Sequence, residues 1–220
     1  MLDAPASQRV IDRINGWIYK HSADPILPNL TTSAMQRDSV RDIMEHFPVI
    51  KTEILAALPH AQPIQGDMFF GPDITDDGRW DRIYIKWYAP PSKRAREIFP
   101  MTTKIIERHS DVHLAMVSIL KPGAKIKGHR GPWCGSFRVH VGVSTPSNLG
   151  CRIVVANQVY FWRDGEVFAF DDTYWHSVDN ATEEPRVILF LDVERKMEGR
   201  WRQAIVRFLN KTVARLTTRD

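Results

Sequence analysis

The chain has 220 residues, 43% hydrophobic and 25% charged, with 30 Lys+Arg against 26 Asp+Glu for a formal charge of +4. Such values suit a soluble globular protein with a core of its own, and they exclude disorder, collagen and coiled coil. Two cysteines, Cys134 and Cys151, are too few for a zinc-finger set or a disulfide framework, and no apolar run reaches the roughly 18 residues of a membrane span.

The N-terminus reads Met1-Leu2-Asp3-Ala4-Pro5, without the basic and apolar regions of a secretory leader. With so few cysteines, this predicts reduced thiols in a cytoplasmic protein. Val10, Ile11, Ile14, Trp17 and Ile18 recur at helical spacing and predict a helix over 10–19. Asp38-Ser39 opens a short helix carrying Val40, Ile43, Met44 and Phe47, expected to end at Pro48, and another spans 51–58 before Pro59. From about Gln65 the period changes to two: Met68-Phe69-Phe70 reads as a strand, 71–78 as turn chemistry and 82–88 as an alternating strand. Residues 95–107 return to helix. Short strands follow at 114–120, 137–144, 152–156, 159–162, 167–170 and 186–193, a spacing that argues for a β-sandwich or small barrel. The tail is helical again, with Trp201, Ala204, Ile205, Phe208, Leu209, Val213 and Leu216 on one stripe and Arg207, Lys211 and Arg215 on another. The expected organisation is mainly β with flanking helices: a helical segment over 1–64, a β core over 65–195 and a basic amphipathic helix over 196–220.

Charge is not evenly spread. Residues 195–220 hold eight of the basic and two of the acidic residues, so the tail is +6 and the remaining chain is −2. An acidic body without an aromatic-rich basic sheet speaks against nucleic acid as a partner.

Alternation sorts the residues that carry chemistry. Phe137, Val139, Val141 and Val143 share one strand face, and Arg138, His140 and Gly142 share the other. Arg186 is in phase with Ile188 and Phe190, and Ser118 with Met116 and Leu120. From the pattern alone, the Arg138/His140 face fits either a solvated sheet surface or a lumen enclosing a small anion. His129 and His176 each stand beside a turn. They fit either hydrogen-bonded structural imidazoles or a pair holding a divalent metal.

Five motifs in order resemble the aspartyl/asparaginyl β-hydroxylase family over about half the chain, from Arg82 to Arg195. They are His129-Arg130-Gly131-Pro132, Arg138-Val139-His140-Val141-Gly142-Val143, Trp162-Arg163-Asp164-Gly165-Glu166, Phe170-Asp171-Asp172 leading to His176, and Arg186-Val187-Ile188-Leu189-Phe190. The resemblance implies a double-stranded β-helix, a jelly-roll like that of the cupins. It also implies a dioxygenase using Fe(II), 2-oxoglutarate and O2 to hydroxylate an aliphatic C–H bond. Carried over by motif, His129 and His176 resemble the metal ligands. Arg186, with Ser118 beside it, resembles the clamp on the far carboxylate of 2-oxoglutarate, and Arg138 and His140 resemble groups near its other end. The wider superfamily places a carboxylate two residues after the first histidine. Gly131 stands there in this chain, as in the family's peptide hydroxylases, whereas the lipid branch more often has aspartate. Asp171 and Asp172 are candidates to support the metal histidines, with turn capping as the alternative.

Two substrate classes follow. Gly78-Arg79-Trp80-Asp81-Arg82, Lys86-Trp87-Tyr88 and the Trp201-Arg202 tail resemble the bacterial lipid A and ornithine-lipid hydroxylases. That implies a lipid acyl chain, with 196–220 as a peripheral contact to an anionic membrane face. Gly131 favours instead Asp or Asn in a peptide, or a free or carrier-bound amino acid. A halogenase, with chloride in the room left by glycine, and a non-catalytic binding module complete the alternatives.

Overall fold

The structure is a computed structural model that describes residues 6–63 and 78–217, with side-chain surroundings described over 9–63 and 78–212. Among the described residues, ten strands form two antiparallel sheets: β1 (Gln62–Pro63), β2 (Trp80–Trp87), β3 (Val112–Leu120), β4 (Lys125–His129), β5 (Ser136–Ser144), β6 (Cys151–Val155), β7 (Gln158–Phe161), β8 (Val167–Phe170), β9 (His176–Asn180) and β10 (Arg186–Glu194). The larger sheet runs β1-β2-β3-β10-β5-β8 and the smaller β4-β9-β6-β7. From β3 onward the chain crosses to the other sheet at every step except the β6–β7 hairpin. This alternation makes the core a double-stranded β-helix, as the sequence leads one to expect.

The central strands β3, β5 and β10 are buried along almost their whole length. Their alternate faces serve different layers. Phe137, Val139, Val141 and Val143 join Val117, Leu189 and Leu191 against the helices. The opposite face, with Met116, Leu120, Ile188 and Phe190, turns toward Ile126, Ile153 and Val178 of the smaller sheet. The lumen therefore lies between the sheets, on the Arg138/His140 side of β5. Helices α2 (Thr31–Met35), α3 (Asp38–Glu45), α4 (Phe47–Ala57) and α6 (Pro100–Glu107) supply Ala34, Ile43, Ile50, Ile54 and Ile105 to the outer layer. Helices α1 (Ala6–Lys20), α5 (Lys93–Ile98) and α7 (Arg200–Thr217) complete the set.

Several expectations are corrected. Pro48 does not end the second helix; it sits in the first turn of α4, where its missing N–H has no intrahelical partner to lose. The helix expected over 95–107 is two helices broken at Phe99, whose backbone (φ −126, ψ 60) is pushed out of the helical region by Pro100. Strands β1, β4 and β9 and helix α2 appear without having been anticipated. The strand expected at Met68-Phe69-Phe70, and residues 71–77 of the turn expected over 71–78, lie outside the described residues. Helix α7 is rotated relative to its apolar stripe. It buries Val206 and Asn210 completely and leaves Trp201 57% and Phe208 68% exposed. The cause is polar. Asn210 Oδ1 accepts from Trp133 Nε1 at 2.7 Å, Gln203 donates to Glu194 at 2.7 Å, and Arg207 turns inward to Glu194 at 2.9 Å.

Candidate active site

His129 ends β4 and His176 begins β9, and the antiparallel register makes them direct cross-strand partners with ring centroids 4.2 Å apart. Each ring's Nδ1 lies against the backbone carbonyl two residues earlier: His129 to Lys127 at 2.8 Å and His176 to Tyr174 at 2.9 Å. A carbonyl only accepts, so each Nδ1 carries the proton and each Nε2 keeps its lone pair. This is the tautomer a metal-binding imidazole needs, with orientation fixed by the second nitrogen. Burial, and then the neighbouring His129, pushes the His176 pKa down to about 3. Burial likewise lowers His129. Both rings are neutral at pH 7, so no proton has to leave before a cation binds.

A stability consequence follows. Between its ordinary 6.5 and about 3, His176 takes a proton in the unfolded chain but not in the folded one. Metal-free protein should therefore lose stability as pH falls through this window, by at most about 1.4 kcal/mol per pH unit for this one group. Melting curves from pH 7 to 5 should show the fall, and His176→Phe should flatten it. A variant as acid-sensitive as the parent would contradict the assignment.

A cavity of about 360 Å³ opens beside the histidines and reaches Ser118 and Arg186 at its inner end. Arg186 is 2% exposed, and its Nη2 donates to Ser118 Oγ at 3.3 Å. The same hydroxyl accepts from Trp80 Nε1 at 2.8 Å. The guanidinium lies 4.7 Å from the Trp162 ring centroid, and its buried Nε has no partner. No carboxylate among the described residues pairs with it. Burial lowers its pKa to about 10, so it remains a cation at neutral pH. A guanidinium this deep without a counter-charge is costly unless an anion enters. His140 adds a second donor. Its Nδ1 accepts from Trp162 Nε1 at 3.3 Å. An indole only donates, so the His140 proton sits on Nε2, which is buried and has no partner. Burial, then Arg186 and Arg138, holds this ring far below the usual histidine range. Ser118, His140 and Arg186 thus gather where the alternation placed them, on the lumen side.

Arg138 lines the cavity too, but it is already engaged, by Asp172 at 3.0 Å and by Asp192. Burial would lower its pKa, but the two carboxylates outweigh that and raise it. Asp171 and Asp172 divide their duties. Asp171 is fully buried, accepts from Arg195 at 2.6 Å and caps the turn by accepting from the Thr173 amide at 3.0 Å. Asp172 faces the cavity. A Cβ built on Gly131 would come within 2.1 Å of Asp172 Oδ2. Asp172, from the β8–β9 turn, thus occupies the space a side chain at position 131 would fill, but its carboxylate does not converge with His129 and His176 into a three-ligand cluster. Burial raises the Asp172 pKa to about 7, with Arg138 opposing and Asp192 adding to the rise. Cys134 is buried, its pKa pushed up to about 12 by burial, and takes no part. Trp80 and Trp162 stand in the sequence motifs, but their roles of orienting Ser118 and His140 were not legible, because an indole there looks like any core aromatic.

Fold and site together define a double-stranded β-helix protein whose reactive groups face the lumen. The chain belongs to the aspartyl/asparaginyl beta-hydroxylase family, a family of hydroxylases, whose pattern matches residues 44–196. Among its relatives is an ornithine lipid ester-linked acyl 2-hydroxylase of Rhizobium tropici, 31% identical over 72% of this chain and 58% of that protein. The aspartyl/asparaginyl beta-hydroxylase of Homo sapiens is 26% identical over 70% of this chain and 21% of that protein. The chain thus spans less than two thirds of the length of these relatives. Among solved structures, a 2OG-Fe(II) oxygenase family oxidoreductase from Burkholderia pseudomallei is 13% identical with a TM-score of 0.47, covering 70% of this chain and 83% of that one. A cupin domain of a transcriptional regulator from Enterobacter cloacae is 12% identical with a TM-score of 0.38, covering 54% of this chain and 99% of that one.

Proposed function

We propose that this protein is an Fe(II)- and 2-oxoglutarate-dependent dioxygenase that hydroxylates the acyl chain of a lipid. The observation that carries the reading is the pairing of two metal-ready imidazoles with a buried, counter-ion-free guanidinium at the inner end of one cavity. His129 and His176 would hold the metal through Nε2. Arg186 and Ser118 would hold the far carboxylate of the cosubstrate, a charge-assisted contact that satisfies an otherwise stranded cation. His140 would donate its Nε2 proton to the same ligand. When bound, iron and 2-oxoglutarate supply the oxidising power that inserts one atom of O2 into a C–H bond. The chain's own contribution is positioning and exclusion of water. Ile126, Ile153, Val178 and Phe190 wall the cavity with hydrocarbon, and Trp80 and Trp162 fix the donors. Asp172, poised to hold or release a proton at Oδ2 near neutral pH, lines the cavity against Gly131 and contacts Arg138 at 3.0 Å.

The relative that hydroxylates an ornithine-lipid acyl chain supports the lipid reading. Gly131 supports a second one, hydroxylation of Asp or Asn in a peptide, as do the 26% identical relatives. The test is direct. Purified protein with Fe(II), 2-oxoglutarate and O2 is offered ornithine lipid, lipid A and Asp/Asn peptides, and mass spectrometry reads the gain of one oxygen atom. Oxygen on an acyl chain with matching succinate release is expected. Oxygen on a peptide alone would move the assignment to the second reading. Succinate from no substrate, together with no visible charge-transfer band on anaerobic addition of iron and 2-oxoglutarate, would overturn both.

A further inference from the structure

We propose that α1 and α7 form a docking face for an anionic membrane, with the exposed apolar ridge of α7 as the inserting element rather than its basic stripe. Trp201, Ile205 and Phe208 stand at i, i+4 and i+7, hence on one helix face, and are 57%, 38% and 68% exposed. Single exposed apolar residues are ordinary, but three large ones in register on one helix are not. The ridge continues onto α1. Trp17 lies 6.2 Å from Trp201 between ring centroids, and Val10, seven residues before Trp17, is 55% exposed. Basic residues frame it. The stretches 9–20 and 196–211 hold eight Lys or Arg and two acidic residues. Of these, Arg13, Lys20, Arg200 and Lys211 are exposed, and the Arg202 guanidinium stacks 4.6 Å from the Trp201 ring. Large apolar side chains flanked by cations are the pattern of a helix lying in the plane of a bilayer surface, with Trp at headgroup level and Arg or Lys on the phosphates.

Charge argues for lipid over a second copy of the chain. A two-fold contact would set this basic rim against itself, whereas an anionic leaflet complements it. Position argues the same way. Asn15 of α1 donates to the Pro132 carbonyl at 2.8 Å, and Asn210 of α7 accepts from Trp133 at 2.7 Å. Arg130, Gly131 and Pro132 line the cavity. The two helices therefore carry the segment that forms part of the cavity's lining, and a bilayer seated on them would lie beside it. The inference rests on the surface and not on the substrate reading, and binding is measured without turnover.

The experiment is co-flotation of the full chain with vesicles of phosphatidylcholine, alone or mixed with phosphatidylglycerol. Binding to the mixed vesicles, weakened by salt, is expected. Trp201→Ala with Phe208→Ala should lower that affinity by roughly tenfold or more, since both side chains lose their apolar anchorage. Arg200→Glu with Lys211→Glu should erase the preference for anionic vesicles. All four positions are exposed, and an unchanged melting temperature checks that the variants are folded. No binding to mixed vesicles, or binding indifferent to both double variants, overturns the proposal. So does a dimer in solution that Phe208→Ala separates, which would give the ridge to a second copy.

Discussion

Replacing Arg186 with methionine should raise the melting temperature of the ligand-free protein and abolish the further rise that 2-oxoglutarate gives the parent. The two halves have one cause. Arg186 is 2% exposed, its Nε has no partner and no carboxylate among the described residues neutralises it. A cation in that position loses hydration without regaining it from the protein. Exchanging buried ionic groups for apolar ones of similar volume has stabilised other proteins by about 1–4 kcal/mol, and methionine refills the space of the aliphatic stem. In a chain of this size each kcal/mol moves the midpoint by about 2–4 °C. The ligand half runs the other way. A ligand at 100 times its Kd stabilises its protein by about 2.7 kcal/mol. Removing the charged partner of a buried carboxylate costs about 2–5 kcal/mol of binding, enough to erase that shift at the same concentration. An arginine serving only architecture would behave in reverse: loss of the Ser118 hydrogen bond and the Trp162 contact would lower the midpoint and leave the 2-oxoglutarate response intact. Thermal melts with and without the ligand decide between them.

What was legible in the sequence, and what was not, divides along physical lines. The lumen face of β5 could be read because a strand's period of two places Arg138 and His140 opposite Val139 and Val141, whatever the sheet does next. The same holds for Ser118 on β3 and Arg186 on β10. Strands β4 and β9 were illegible. Lys125-Ile126-Lys127-Gly128-His129 and His176-Ser177-Val178-Asp179-Asn180 each contain a single buried apolar residue, Ile126 and Val178. Their pairing with each other, not their composition, makes them strands, and that pairing is what brings the two histidines face to face. Helix α7 shows the complementary failure. Its apolar stripe was read correctly, but its rotation is set by Asn210, Gln203 and Arg207, and hydrophobic periodicity is blind to a hydrogen bond. Asp172 could be suspected but not separated from Asp171, because which carboxylate turns inward depends on a glycine from another loop.

That glycine gives the sharpest test of the site. Gly131→Asp alone should be strongly destabilised, Asp172→Ala alone mildly so, and the double variant should recover most of the loss. Gly131 does not use a left-handed backbone, so an added side chain is opposed by the Asp172 carboxylate, 2.1 Å from where its Cβ would sit, and not by strain. Forcing that carboxylate aside breaks its 3.0 Å contact with Arg138 and crowds two acids into one buried space. Overpacking a filled buried site costs about 1–3 kcal/mol, and a second buried acid without a partner adds to that. Asp172→Ala is gentler. Arg138 keeps Asp192, and an acid with a pKa near 7 is only partly ionised at neutral pH, so little paired charge is lost. In the Asp172→Ala background the new aspartate enters vacated space beside the same guanidinium. The two substitutions should therefore couple favourably, by more than the roughly 0.5 kcal/mol within which independent sites add. Fe(II) affinity gives the functional half of the cycle. The double variant presents its carboxylate two residues after His129, the position of the superfamily's third ligand, and should hold iron at least as tightly as the parent. Additive stabilities would mean that the two side chains do not share the space. Coupled stabilities with iron binding lost in the double variant would mean that Asp172 serves the site by the exact direction from which its carboxylate arrives, and not by its charge.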